Sequence, residues 1–193
     1  MANWASVSYR INGSKENLNK IASVIDDFVN GIVKPVRADA DSNWEGNIVK
    51  ALGASEEDMK RYLRGFIQDY DIEEDCLSIE AEEAWENTDF REVLSNLMPD
   101  LKIYFYIEEP GCGIYATNDE DSLFFSDRYY VDAEIKADSF SDYFGSREDA
   151  EKYISALIGD CKVSHTEDEI QKWNEEHQDE DSAIYLHKIE IID

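Results

Sequence analysis

The side chains with the most chemistry to offer are carboxylates, and they come in close sets: Glu80, Glu82 and Glu83; Glu108 and Glu109; Asp119 to Asp121. On a strand, residues two apart share a face, so Glu80 and Glu82 would stand side by side. Such a pair can bind a divalent metal for hydrolysis or divide acid and base roles. Nothing accompanies these sets as nucleophile or base. The sequence has no GxSxG, no Walker loop, no GxGxxG and no convincing Cys-His couple. His165, His177 and His187 follow no metal-ligand spacing. Asp39, Asp41 and Asn43 begin like a calcium loop, but Trp44 stands where the turn glycine is needed and Lys50 where a bidentate Glu is needed. No catalytic residue, metal ligand or cofactor is assigned.

With 45 acidic residues in 193, close pairs also arise by chance, and the charge as a whole is the more informative signal. Only 18 basic residues oppose the acids, leaving −27 at pH 7 and a pI near 4.2. Such a chain repels phosphate backbones and anionic membranes, so direct nucleic-acid binding and membrane association are not expected. A basic protein surface is the complementary partner. Cys76, Cys112 and Cys161 are odd in number and far apart, which predicts free, buried thiols rather than a disulfide framework. The first ten residues lack a basic segment followed by an apolar run, and no run is long enough to span a bilayer. A cytoplasmic setting follows as an expectation.

The elements that must position these residues are read from periodicity. Leu101, Ile103, Phe105 and Ile107 alternate with Lys102, Tyr104, Tyr106 and Glu108. Pro110-Gly111 then reverses the chain into Cys112, Ile114 and Ala116, with Tyr115 and Thr117 opposite. This hairpin is the expected sheet centre. Tyr104, Tyr106 and Tyr115 form its second face, which could stack bases but lacks the basic residues for it; covering helices are expected to bury it.

Before the hairpin, residues 4–11 read as a strand. Ser14 caps a helix carrying Leu18, Ile21, Ala22, Ile25, Phe28 and Val29. Residues 34–46 read as a polar loop and residues 47–52 as a short strand. Ser55 to Asp58 reads as a capping box opening a short helix. A hairpin pairing Phe66 to Tyr70 with Leu77 to Ala81 follows, then a helix from Thr88 to Met98. After the central hairpin come a strand at 129–136, a capped helix ending at Gly159, an acidic surface helix behind the Thr166–Glu169 box, and a closing strand at 183–191.

From Leu77 the order approximates β-α-β-β-α-β. This predicts an α+β fold with a ferredoxin-like core over residues 76–193, an N-terminal strand-helix extension or small subdomain over 1–75, and an added acidic surface helix.

Several stretches, NWASVSYRINGS, RGFIQDYDIEEDCLSIEAEEAW, IYFYIEEPGCGIYATND and FFSDRYYVD, resemble the YubB-like family of phage, plasmid and gut-bacterial proteins. The resemblance runs from about Trp4 to Asp132. It implies a ferredoxin-like α+β domain carried on mobile elements, and it brings no catalytic residue.

The expected function is a non-enzymatic, acidic protein-interaction module. One alternative is a nucleic-acid mimic that blocks a host DNA- or RNA-binding defence protein; another is a metal-dependent hydrolase using a carboxylate pair. The candidate binding residues are Glu80, Glu82, Trp85, Glu108, Glu109, Asp119, Arg128, Glu175 and Glu176, with Trp85 and Arg128 as possible pocket rims.

Overall fold

The strand β1 (Trp4–Asn12) is the one around which the first part of the chain is built. The computed structural model describes residues 3–84, 88–160, 162 and 164–193. Alternation along β1 buries Ala5, Val7, Tyr9 and Ile11. The Ser14 hydroxyl then accepts from the Asn17 N–H and opens α1 (Lys15–Val29), whose stripe of Leu18, Ile21, Ala22, Ile25 and Phe28 is buried. Val29, expected on that stripe, is 52% exposed, because one residue past Phe28 turns about 100° around the axis.

Residues 45–52, expected in part as a strand, form the helix α2 (Glu45–Leu52). Ile48, Val49 and Leu52 lie on one helical face, and Gly53 closes the helix at φ 112, a conformation that side chains disfavour. An apolar run this short fits either period. The Ser55 box forms: Ser55 Oγ accepts from Asp58 N at 3.1 Å, and Asp58 Oδ2 accepts from Ser55 N at 2.9 Å. It opens only one 3₁₀ turn, Asp58–Lys60, since Arg61 is already extended.

The expected hairpin follows as β2 (Gly65–Glu73) and β3 (Cys76–Ala84), with Ile67 opposite Ala81 and Tyr70 opposite Ile79. After α3 (Phe90–Leu97) comes the central hairpin, β4 (Lys102–Glu109) and β5 (Ile114–Thr117). The strand order is β2-β3-β1-β4-β5, and each neighbouring pair within it is antiparallel.

The chain divides into two compact units, Met1–Asn118 and Asp119–Asp193, rather than near residue 75. The reason is β1: it lies between β3 and β4, so the amino-terminal strand is an interior member of the sheet and not an extension to it.

The second unit has β6 (Tyr129–Ile135), β7 (Asp138–Phe144), α4 (Arg147–Ile158), α5 (Glu167–His177), β8 (Ala183–Lys188) and the short β9 (Glu190–Ile191). Its antiparallel sheet has the order β7-β6-β8. Val131, Ala133 and Ile184 from the sheet pack with Ala150 and Ile154 of α4 and Ile170 of α5. The strand β7 was not expected. Its hairpin turns through Lys136 and Ala137 at φ 54 and 68, a two-residue loop in the conformation usually marked by Asn-Gly.

Cys76 is half-buried and Cys112 is exposed in the Pro110–Cys112 turn, so the latter is not the buried thiol expected; Cys161 lies outside the described residues. No described helix is long and apolar enough to cross a membrane.

Candidate binding surface

The sequence places Glu175 and Glu176 on α5, and the local chemistry fixes that helix firmly. Thr166 Oγ1 accepts from Glu169 N at 3.3 Å, and Glu169 Oε2 accepts from Thr166 N at 2.9 Å, a reciprocal capping box. Lys162 also reaches the Glu169 carboxylate, and with the Thr166 amide it brings that carboxyl down to about 2. Ile170 is the helix's buried anchor, and Trp173 packs beside it, stacked on His177 at 4.2 Å. Asn174 clamps β8 with two bonds to Ile184, both 2.8 Å. One thin stripe therefore holds the helix down. The rest carries Glu167–Glu169, Glu175, Glu176 and, in the following turn, Asp179–Asp181, all exposed. Lys172 is the one lysine over these residues, 3.6 Å from Glu176.

The first unit brings Glu80, Glu82 and Glu108 to the sheet face opposite the buried row of Val7, Ile79, Phe105 and Ile107. Ser6 sits between Glu82 on one side and Glu108 on the other, which puts those two strands roughly 10 Å apart. Glu80 is engaged by Ser8 and by Arg10 at 2.8 Å, while Gln68 donates to Glu82 at 3.1 Å. Tyr104 and Tyr106 on this face are half-buried and Tyr115 is buried. Glu109 follows the strand alternation to the other face and is buried, so it does not pair with Glu108. Together with an Asn3 contact at 2.8 Å, it surrounds Cys112, and its carboxylate pushes that thiol up, away from a reactive thiolate. Trp85 lies outside the described residues.

Asp119 and Arg128 occupy one loop of the second unit. Asp119 is fully buried; burial works against its charge, but amide donors from Phe125, Phe124 and Leu123 at 2.7–3.0 Å, with Arg128, hold its carboxyl below the usual range. The Arg128 guanidinium donates to the backbone carbonyls of Phe125 (2.6 Å), Asp127 (2.8 Å) and Asp119 (2.6 Å). Both residues build the loop, and Arg128 meets the Asp127 carbonyl rather than its carboxylate.

Two polar clusters were not read from the sequence. Ser155 Oγ lies 2.9 Å from His165 Nε2, but its hydroxyl proton has carbonyl acceptors at Glu151 and Lys162. The serine therefore accepts from the imidazole, the reverse of what a nucleophile needs. The other cluster joins Glu45, Glu83, Tyr9 and Thr88, all buried. Tyr9 Oη donates to Glu83 Oε1 at 2.5 Å, the Thr88 amide donates to Glu83 Oε2, and Thr88 Oγ1 donates to Glu45 Oε2 at 2.8 Å. Gly65 makes room for the Glu45 carboxyl: a Cβ there would stand 2.1 Å from Oε1. Burial first, and the Glu83 charge second, raise Glu45 well above the ordinary carboxyl range. Burial also raises Glu83. With both Glu83 oxygens accepting, Glu45 is the member of the pair on which burial favours a proton.

That proton has a sign in stability. An unfolded Glu titrates near 4.3, and the folded value is higher, so the contribution is complete below about pH 4.3 and is lost as pH rises toward the raised value. Glu45→Gln keeps an uncharged side chain there, and its urea-melt stability should fall less steeply than the wild type's as pH rises above about 4.3. Parallel pH profiles for the two proteins would contradict the assignment.

Among the described residues, no group of three or more His, Cys, Asp or Glu is placed to hold a metal ion. Comparison of the chain with protein-family models, with curated proteins and with solved structures finds no match.

Proposed function

We propose that this chain is a non-enzymatic, acidic protein-interaction module that works in the cytoplasm, is encoded on a phage or other mobile element, and binds a basic protein surface. The observation that carries this reading is the ridge from Glu167 to Asp181. It exposes eight carboxylates against one lysine and is held by a stripe of only two apolar side chains. A helix with so little buried surface spends its sequence on solvent-facing charge. With α2 as an addition, the order from β1 to β4 is β-α-β-β-α-β, and with β1 interior and its neighbours antiparallel this supports a ferredoxin-like assignment for residues 4–109 rather than for residues 76–193, where the sequence order suggested it.

A second reading, nucleic-acid mimicry, is favoured by the same ridge but less well. At 1.5 Å per residue the helix Glu167–His177 is about 15 Å long. A duplex carries one charge per roughly 1.7 Å, or about nine over that length. The helix has five carboxylates against one lysine, a net of four. Salt and competition separate the two readings. For a basic protein partner captured by this chain, binding should weaken steeply from low to physiological salt in both cases. Duplex DNA should displace the chain if it mimics nucleic acid, and should leave the complex intact if the partner's basic surface is not a DNA site. Salt-insensitive capture would contradict both.

A further inference from the structure

A cleft in the first unit runs against the charge of the whole chain. It has a volume of about 570 Å³ and is lined by Arg37, Lys50, Lys60, Arg61 and Arg64, with Glu56 as the one acidic residue among its eleven lining residues. The entire chain has only 18 lysines and arginines, so more than a quarter of its cations converge here. The volume lies in the range of small-molecule sites.

The acids that pair with these cations are mostly not in the cleft. Arg37 is forked onto Asp39 at 2.8 and 3.1 Å, and Lys60 meets Glu57 at 2.9 Å; all four side chains are well exposed, and such pairs exchange readily for another anion. Lys50 reaches Glu56 at 2.6 Å, and Arg61 is held by Asp89 at 3.3 Å and by Glu92. Arg64 is exposed and makes no ion pair among the described residues.

The walls are aromatic and fixed. Trp44 Nε1 donates to the Leu63 carbonyl at 2.7 Å, the Arg37 guanidinium lies 5.6 Å from its ring centre, and Gly46 is so close under the ring that a Cβ would stand 2.2 Å from it. Tyr62 is pinned by its hydroxyl to the Ala84 carbonyl at 2.7 Å, yet the residue is 38% exposed. An open, pre-oriented ring beside a guanidinium with no ion pair among the described residues suits a ligand with a flat ring at one end and an anion at the other. The chain's −27 works against anions at long range, but at physiological salt charges beyond about 8 Å are largely screened; nearby, Asp39, Glu56, Glu57, Asp89 and Glu92 offset four of the cleft cations, which leaves Arg64 as the cation without an ion pair among the described residues.

We infer that this cleft is a binding site for a nucleotide-sized anion, a flat ring bearing phosphate, with Arg64 and Lys60 holding the phosphate and Tyr62 stacking the ring. The test is titration calorimetry of the full chain with adenosine monophosphate, inorganic phosphate and adenosine. The nucleotide should bind more tightly than either half. Arg64→Ala should weaken it about tenfold or more, as loss of a charge-assisted bond does. Lys60→Ala combined with Arg64→Ala should weaken it further. Both positions are exposed, so thermal melts should show the variants folded. Absence of nucleotide binding, equal affinity for inorganic phosphate, or an Arg64→Ala affinity unchanged from wild type would each overturn the assignment.

Discussion

Phe105→Ala is expected to cost about 3–5 kcal/mol in urea unfolding, as loss of a large ring from a packed interior does. Phe105 is 0% exposed at the middle of β4, directly opposite Tyr9 of β1. The Arg91 guanidinium lies 4.7 Å from its ring centre, so the substitution removes a cation–π contact together with the apolar area. The neighbours on the same face, Ile103 and Ile107, belong to the same strand and cannot move inward without shifting the register with β1. A change under about 1 kcal/mol would mean that Phe105 is not a core residue.

Glu83→Ala should cost about 2–6 kcal/mol, because it strands two buried donors, the Tyr9 hydroxyl and the Thr88 amide, each worth about 1–3 kcal/mol when left without a partner. It also removes the charge beside Glu45, so part of that cost is returned at neutral pH, where the Glu45 proton becomes easier to lose. Glu83→Gln keeps the shape and one acceptor and should cost less than Glu83→Ala. The comparison is made by urea melts at one pH. Equal losses for the two variants would show that the bulk and the single acceptor kept by Gln give no benefit, contradicting the expected order.

The same residues explain what could be read in advance. The central hairpin, β1, α1, α4 and α5 were legible because each combines a clean period with a cap or turn residue, such as Ser14, Ser146, Thr166 and Pro110. Residues 47–52 were not, because a short apolar run fits both periods. The strand β7 was hidden by a hairpin turn made from Lys136-Ala137 without glycine or asparagine. The domain division was misplaced because pairing of β1 with both β3 and β4 is a long-range fact with no local signature.

The candidate residues fared unevenly for a related reason. Carboxylates look alike in sequence, but strand alternation sends Glu108 and Glu109 to opposite faces, and backbone donors turn Asp119 into a loop-builder. The Glu45–Glu83 pair joins residues 38 positions apart, and the basic cleft gathers its five lysines and arginines from residues 37 to 64, a stretch that also holds six acids, so neither stands out from composition. Glu175 and Glu176, on a helix with a readable cap, lie where the sequence placed them, exposed on α5.

The acidic ridge is the centre of the functional account, and its most direct test compares what two forms of the chain capture from a cell lysate at low salt. One is the wild type; the other carries Glu175→Gln, Glu176→Gln, Asp179→Gln and Glu180→Gln. These four are exposed, so thermal melts of the two forms should coincide within the small effects of surface changes. The account predicts that the wild type retains basic proteins and that the four-fold variant, still folded, loses them. Capture of the same basic proteins to the same extent by both forms would contradict it.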